Sequence, residues 1–318
     1  MDKFLFRFKK FNKWICLYII LMIITSCSIN TKKEIDSKDI KKPIVLTTFT
    51  VLSDIAKNVA GDRLIVRSIT KPGSEIHSYE FTPSDIIKAK NADLIIKNGL
   101  GLERWIERFL TSIGDVPSIS LSDGMNPILI KGDTYAGKPN PHAWMSPKRT
   151  IAYVNKLLEA FIEIDPQGKE DYMRNAELYK NKLLALDQEL EYFISKIPEE
   201  KKLLVTCEGA FSYLANDYGF REAYLWPVNS ENQVTPIRMA NLIKKIKKND
   251  IPTIFCESTV NSRAQKEVAR ATGASFGGSF FVDSLSAIDG PAATFLDLQR
   301  YNLDLIIKGL EPSIDIKK

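Results

Sequence analysis

Residues 168–197, GKEDYMRNAELYKNKLLALDQELEYFISKI, run without an internal glycine or proline. Tyr172, Ala176, Tyr179, Leu183, Leu186, Leu190, Phe193 and Ile197 recur there every three or four residues, the spacing of one face of a helix. The stretch predicts a single helix about 45 Å long, ended by Pro198. A coiled-coil seam carries the same pattern. A lone segment lying between two halves of a chain fits better as a rigid strut packed against both.

The flanking sequence supports the strut. Before it, short apolar runs (PIVLTTF, LIVRSIT, ADLIIKNG, PSISLS) alternate with helical periods near 51–60, 83–91, in LERWIERFL and at 147–163. The same alternation restarts after residue 200, with KLLVTC, FSYLANDY, AYLWPV, a helix at 236–248, PTIFCES, a helix near 262–271, SFFVDS and a terminal helix near 292–309. This is βα grammar with both sheet faces covered. The fold class expected is α/β: two (βα) sandwich domains with parallel sheets, joined by one long rigid helix. The expected bounds are 43–166 for the first domain, 167–197 for the linking helix and 198–318 for the second.

The first 26 residues differ from the rest. Lys3, Arg7, Lys9, Lys10 and Lys13 precede an apolar run from Trp14 to Ile24, shorter than a membrane span. The run ends in Ile24-Thr25-Ser26-Cys27, which resembles the lipobox of bacterial lipoproteins. Residues 1–26 are therefore expected to be a signal peptide and Cys27 the lipidated first residue of the mature chain. Residues 27–42, polar and lysine-rich, then form a tether. Five cations and one anion in the signal account for +4 of the net +5, leaving the mature chain near +1. That charge, with no reading motif, argues against nucleic acid as a partner.

Only two further cysteines remain, Cys207 and Cys256. An exported location permits a disulfide between them, but both end apolar runs, and buried free thiols are the favoured expectation. GDTYAGK at 132–138 imitates the opening of a phosphate-binding loop. Pro139 stands where that loop needs Ser or Thr, so no nucleotide site is expected.

The chain has two histidines, and their settings match. In PGSEIHSYEFTPSD, His77 precedes Thr82-Pro83-Ser84-Asp85, a capping-box helix start. In NPHAWMSP, His142 precedes Ser146-Pro147, a second cap-and-proline start. Each histidine thus stands in a loop before a helix. If those loops follow sheet strands, both lie on the side of an α/β sheet where ligands usually bind. Glu208, in VTCEGAFSYLANDYG, ends an apolar strand; alone it is equally an acid at a helix start. Asp283, in GGSFFVDSLS, also follows an apolar run; alone it is equally an exposed loop acid. Neighbouring residues of an extended chain face opposite ways, so Cys207 is expected to point away from whatever Glu208 faces.

The ordered set PGSEIHSYEFTPSD, ADLIIKNGLGLERW, NPHAWMSP, VTCEGAFSYLANDYG, ESTV at 257–260 and FFVDSLS resembles the metal-ion solute-binding lipoproteins and periplasmic proteins of bacterial manganese, iron and zinc ABC importers. The likeness covers the chain from about residue 43 to its end. It implies two domains holding one divalent metal between them, with His77 and His142 as ligands from the first and Glu208 and Asp283 from the second. It also implies an ABC permease as partner, the metal ion as cargo, and a monomer anchored through its lipid on the extracytoplasmic face, in a periplasm or at a cell surface. Two imidazoles and two carboxylates form a mixed N/O site suited to Mn²⁺ or Fe²⁺. The family's zinc members typically carry a third histidine ligand and a histidine-rich loop, both absent here, although zinc still binds such sites well. A metallohydrolase is the competing reading. It needs an open coordination position and a base, and no HExxH helix is present.

Overall fold

The computed structural model describes residues 41–131, 135–228 and 234–315. The expected signal peptide, Cys27 as the expected lipidation residue and the expected tether up to residue 40 lie outside the described residues, as does Gly132. From Lys42 onward the chain forms one compact unit. Among the described residues no helix is long and apolar enough to cross a membrane.

The first half alternates β1 (Ile44–Thr47), α1 (Thr50–Ala60), β2 (Ile65–Ser68), α2 (Pro83–Lys90), β3 (Leu94–Lys97), α3 (Ile106–Ile113) and β4 (Ser118–Ser120). All pairings are parallel, in the order β2-β1-β3-β4, with Val45 against both Val66 and Leu94. The two central strands read as continuous apolar runs because helices cover both faces. The chain leaves β1 for β2 on one side and returns to β3 on the other. In open α/β sheets, ligands usually bind at the carboxyl ends of the strands beside such a reversal.

After β4 come α4 (Pro147–Ile164) and α5 (Lys169–Ser195). The helix predicted for 168–197 is thus present, and every apolar residue counted in its stripe is buried. It packs on α1 and α4 from one half and, from the other, on α6 (Ser212–Tyr218) and α9 (Phe295–Leu310). A strut touching both halves is what the stripe encodes; the coiled-coil reading is not realised.

The second half contains β5 (Leu203–Glu208), α6, β6 (Arg221–Trp226), α7 (Pro236–Lys248), β7 (Thr253–Glu257), α8 (Arg263–Thr272), β8 (Ser275–Phe280) and α9. β5 pairs with β6 and β7 with β8, both in parallel. Two expectations fail here. The last strand is not SFFVDS but SFGGSF, Ser275–Phe280. Gly277 lets β8 approach β7, since a Cβ there would lie 2.4 Å from Thr253 and 2.5 Å from Phe255. Beyond Phe280 the ladder stops because the Asn302 side chain takes both backbone groups of Phe281, accepting from its N–H and donating to its carbonyl.

The second correction concerns Cys207 and Cys256, which are disulfide-bonded rather than free. They are the penultimate residues of β5 and β7, and their Cα atoms are 4.7 Å apart. Both side chains lie in a core with Leu203, Val205, Leu225 and Ile254, facing away from Glu208 as the strand alternation requires.

Candidate metal centre

His77 sits in the loop between β2 and α2, and that loop is held from several sides. Glu75 accepts from the His77 and Ser78 amides at 2.6 and 2.8 Å. The Trp105 indole donates to the Ile76 carbonyl at 2.8 Å. The predicted capping box is formed: Thr82 Oγ1 accepts from the Asp85 amide, and Asp85 Oδ2 from the Thr82 amide.

His142 lies just before α4. Ser146 occupies the N-cap, but its hydroxyl makes no cap bond; it donates to Asp217 Oδ2 at 2.7 Å, and Arg149 clasps the same carboxylate. The His142 amide and Nδ1 both face Asn140 Oδ1, at 3.0 and 2.9 Å. Asn140 Nδ2 donates to the Gly209 carbonyl, which fixes the amide's orientation, so Oδ1 accepts and the proton of His142 resides on Nδ1. The Nε2 lone pair is left to face inward.

Glu208 is the last residue of β5, and the chain can turn after it only through glycine: a Cβ on Gly209 would lie 2.5 Å from the Pro227 carbonyl. Asp283 follows β8 in a loop pinned on both sides, with Trp144 Nε1 donating to the Val282 carbonyl and the Gly73 amide to Ser284 Oγ.

The four side chains converge. His77 Nε2 is 3.3 Å from His142 Nε2, 3.4 Å from Glu208 Oε1 and 3.6 Å from Asp283 Oδ2. His142 Nε2 is 3.9 Å from Glu208 Oε1 and 3.6 Å from Asp283 Oδ1. None is more than 3% exposed. Ligand atoms about 2.1 Å from one ion, at angles of 90–120°, stand about 3.0–3.6 Å apart; four of the five spacings fall in that range, and only His142 to Glu208, at 3.9 Å, exceeds it. Both Asp283 oxygens and His77 Nδ1 are buried without a hydrogen-bond partner. An acid left without donors in the interior is costly unless a cation meets it.

The charges tell the same story. Burial pushes the His77 imidazole down, but the carboxylates of Glu208 and Asp283 outweigh it and raise it from 6.5 to about 9. Burial, then the charge of His77, holds His142 well below 6.5. His77 is therefore the cation of the group and His142 the neutral base.

Glu257 is a functional candidate that the reading of individual residues passed over. Fully buried at the end of β7, it accepts from the Glu208 amide at 3.1 Å. Burial, then the Glu208 charge, raises its carboxyl well above 4.5. The signal for it was a repeat: Cys207-Glu208 ends β5 as Cys256-Glu257 ends β7. Glu257 also lies close to the two sulfurs, but these are bonded to each other and offer no thiolate.

The family model described as "ZnuA: Zinc-uptake complex component A periplasmic" matches residues 45–309. The chain belongs to this family. It is similar to the iron-binding protein YfeA of Yersinia pestis, 50% identical over 269 residues that cover 85% of this chain and 86% of that one. It is 34% identical to the manganese ABC transporter substrate-binding lipoprotein PsaA of Streptococcus pneumoniae, over 95% of this chain and 99% of the relative. Among solved structures, the Mn-bound periplasmic metal-binding protein of Candidatus Liberibacter asiaticus shares 40% identity at a TM-score of 0.79, covering 85% of this chain and all of that one. Membership of the ZnuA family agrees with two parallel α/β halves and a long helix between them.

Proposed function

We propose that the protein captures one divalent metal ion per chain, Mn²⁺ or Fe²⁺, outside the cytoplasmic membrane and delivers it to an ABC permease. His77 and His142 from residues 43–166 and Glu208 and Asp283 from residues 198–318 are the ligands, with 167–197 as the linking helix. The observation that carries this reading is the meeting of four buried side chains, all ligand atoms within 4.8 Å, from four separate segments. The relatives' names, iron-binding for one and manganese for another, support a choice among first-row cations. So does a donor set of nitrogen and oxygen without thiolate. Two carboxylates able to chelate raise the coordination number above the four that zinc prefers. Export, lipidation at Cys27 and a monomeric mature chain complete the reading.

In capture, the inward lone pair of His142 is ready, whereas His77 must first give up its proton. Glu208 and Asp283 neutralise the ion in a dry pocket. Release requires the two acids to part from the imidazoles. The test is metal stoichiometry on the purified mature chain. One Mn²⁺ or Fe²⁺ per chain with a metal-dependent rise in melting temperature is expected, and His77→Ala and Asp283→Ala should abolish both. Retained stoichiometry in either variant rejects the site.

A further inference from the structure

Asn140, His142 and Trp144 alternate along one short segment, and each reaches something different. Asn140 Nδ2 donates across to the Gly209 carbonyl at 2.6 Å and to Ser212 Oγ at 3.1 Å; Gly209 immediately follows Glu208. Trp144 Nε1 donates to the Val282 carbonyl at 3.0 Å; Val282 immediately precedes Asp283. His142 stands between them facing both acids. All three residues are at most 2% exposed. The far end is anchored too, since the Trp144 carbonyl accepts from Gln299 Nε2 and Thr150 Oγ1.

We propose that Asn140 and Trp144 are positioning residues that bracket the two acid-bearing loops and set the separation of Glu208 and Asp283 met by an ion at His142. The proposal rests on the metal-capture reading. Its consequence depends on the ion. A six-coordinate ion such as Mn²⁺ needs both carboxylates in register. Zn²⁺ is satisfied by four ligands and tolerates one displaced acid. Loosening either loop therefore weakens Mn²⁺ more than Zn²⁺, whereas general destabilisation weakens both alike.

The experiment uses the mature chain and three variants, with affinities for Mn²⁺ and Zn²⁺ measured by competition against a fluorescent chelator and folding followed by circular dichroism. Asn140→Asp keeps an oxygen for His142 but replaces the donor to Gly209 with a second oxygen. Trp144→Phe keeps an aromatic ring and removes the N–H. In each, Mn²⁺ affinity should fall about tenfold or more and Zn²⁺ affinity by a clearly smaller factor, with the native spectrum retained. Either variant decides the matter if the other does not fold. Unchanged affinities, or equal losses for both ions, overturn the bracket. His142→Ala separates the two levels. Metal lost there while the other variants bind as the parent protein rejects the bracket alone. A full equivalent retained in His142→Ala rejects the site beneath it.

Discussion

At the scale of single residues, the protonation of His77 decides how the site behaves with pH. Its imidazole is raised from 6.5 to about 9, burial being outweighed by Glu208 and Asp283. A group raised on folding stabilises the fold fully below its unfolded value and loses that contribution as pH rises through the folded value. The metal-free protein should therefore lose melting temperature between about pH 6.5 and 9, and His77→Ala should flatten that slope. In the proposed site metal competes for the same nitrogen, so affinity should run the other way and increase with pH across this window. Calorimetry at pH 7 in buffers of differing ionisation enthalpy should register close to one proton released per ion. The two histidines stood out in the sequence because each precedes a helix cap, whereas Glu208 and Asp283, each equally an ordinary acid when read alone, joined the proposed set only through the family resemblance. Glu257 was not, since a buried acid at the end of an apolar strand looks like Glu208 until the two strands are side by side.

Among the elements, α5 was legible almost residue for residue. Its apolar period is long, unbroken and closed by Pro198, and Leu183 at its middle is fully buried. Leu183→Ala should cost about 2–5 kcal/mol in urea denaturation, while an exposed neighbour on the same helix such as Leu184, 45% exposed, should cost far less. The position of β8 was not legible, because two glycines interrupt its pattern and its limit is set by Asn302, a residue on a distant helix. The pairing of Cys207 with Cys256 was hidden for the same reason: it depends on which strands become neighbours. The cross-link closes a separation of 49 residues. Replacing both cysteines by alanine should lower stability by about 2–4 kcal/mol, measured as a shift of the urea midpoint.

For the whole molecule, the two halves are tied together by bonds that use no proposed metal ligand. Arg149 holds Asp217, the Phe295 amide donates to Asp54, the Leu285 amide to Thr50 Oγ1, and the Gly73 amide to Ser284 Oγ. The strut adds a continuous buried seam along both halves. Contact between the halves therefore does not depend on the ion. Small-angle scattering should find radii of gyration for chelator-treated and metal-loaded protein within about 1 Å of each other. A larger change would show that the ion itself draws the halves together.

The four proposed ligands lie far apart in the sequence. His77, His142, Glu208 and Asp283 are separated by 65, 66 and 75 residues, so each quarter of the polypeptide contributes one donor. A nascent chain emerging from its N-terminus holds both imidazoles before either acid, and Asp283 is the last of the four to be added. A chain that stops short of Asp283 lacks one of the four proposed ligands. The proposed pocket is thus gained in a single step, with the fourth of its donors.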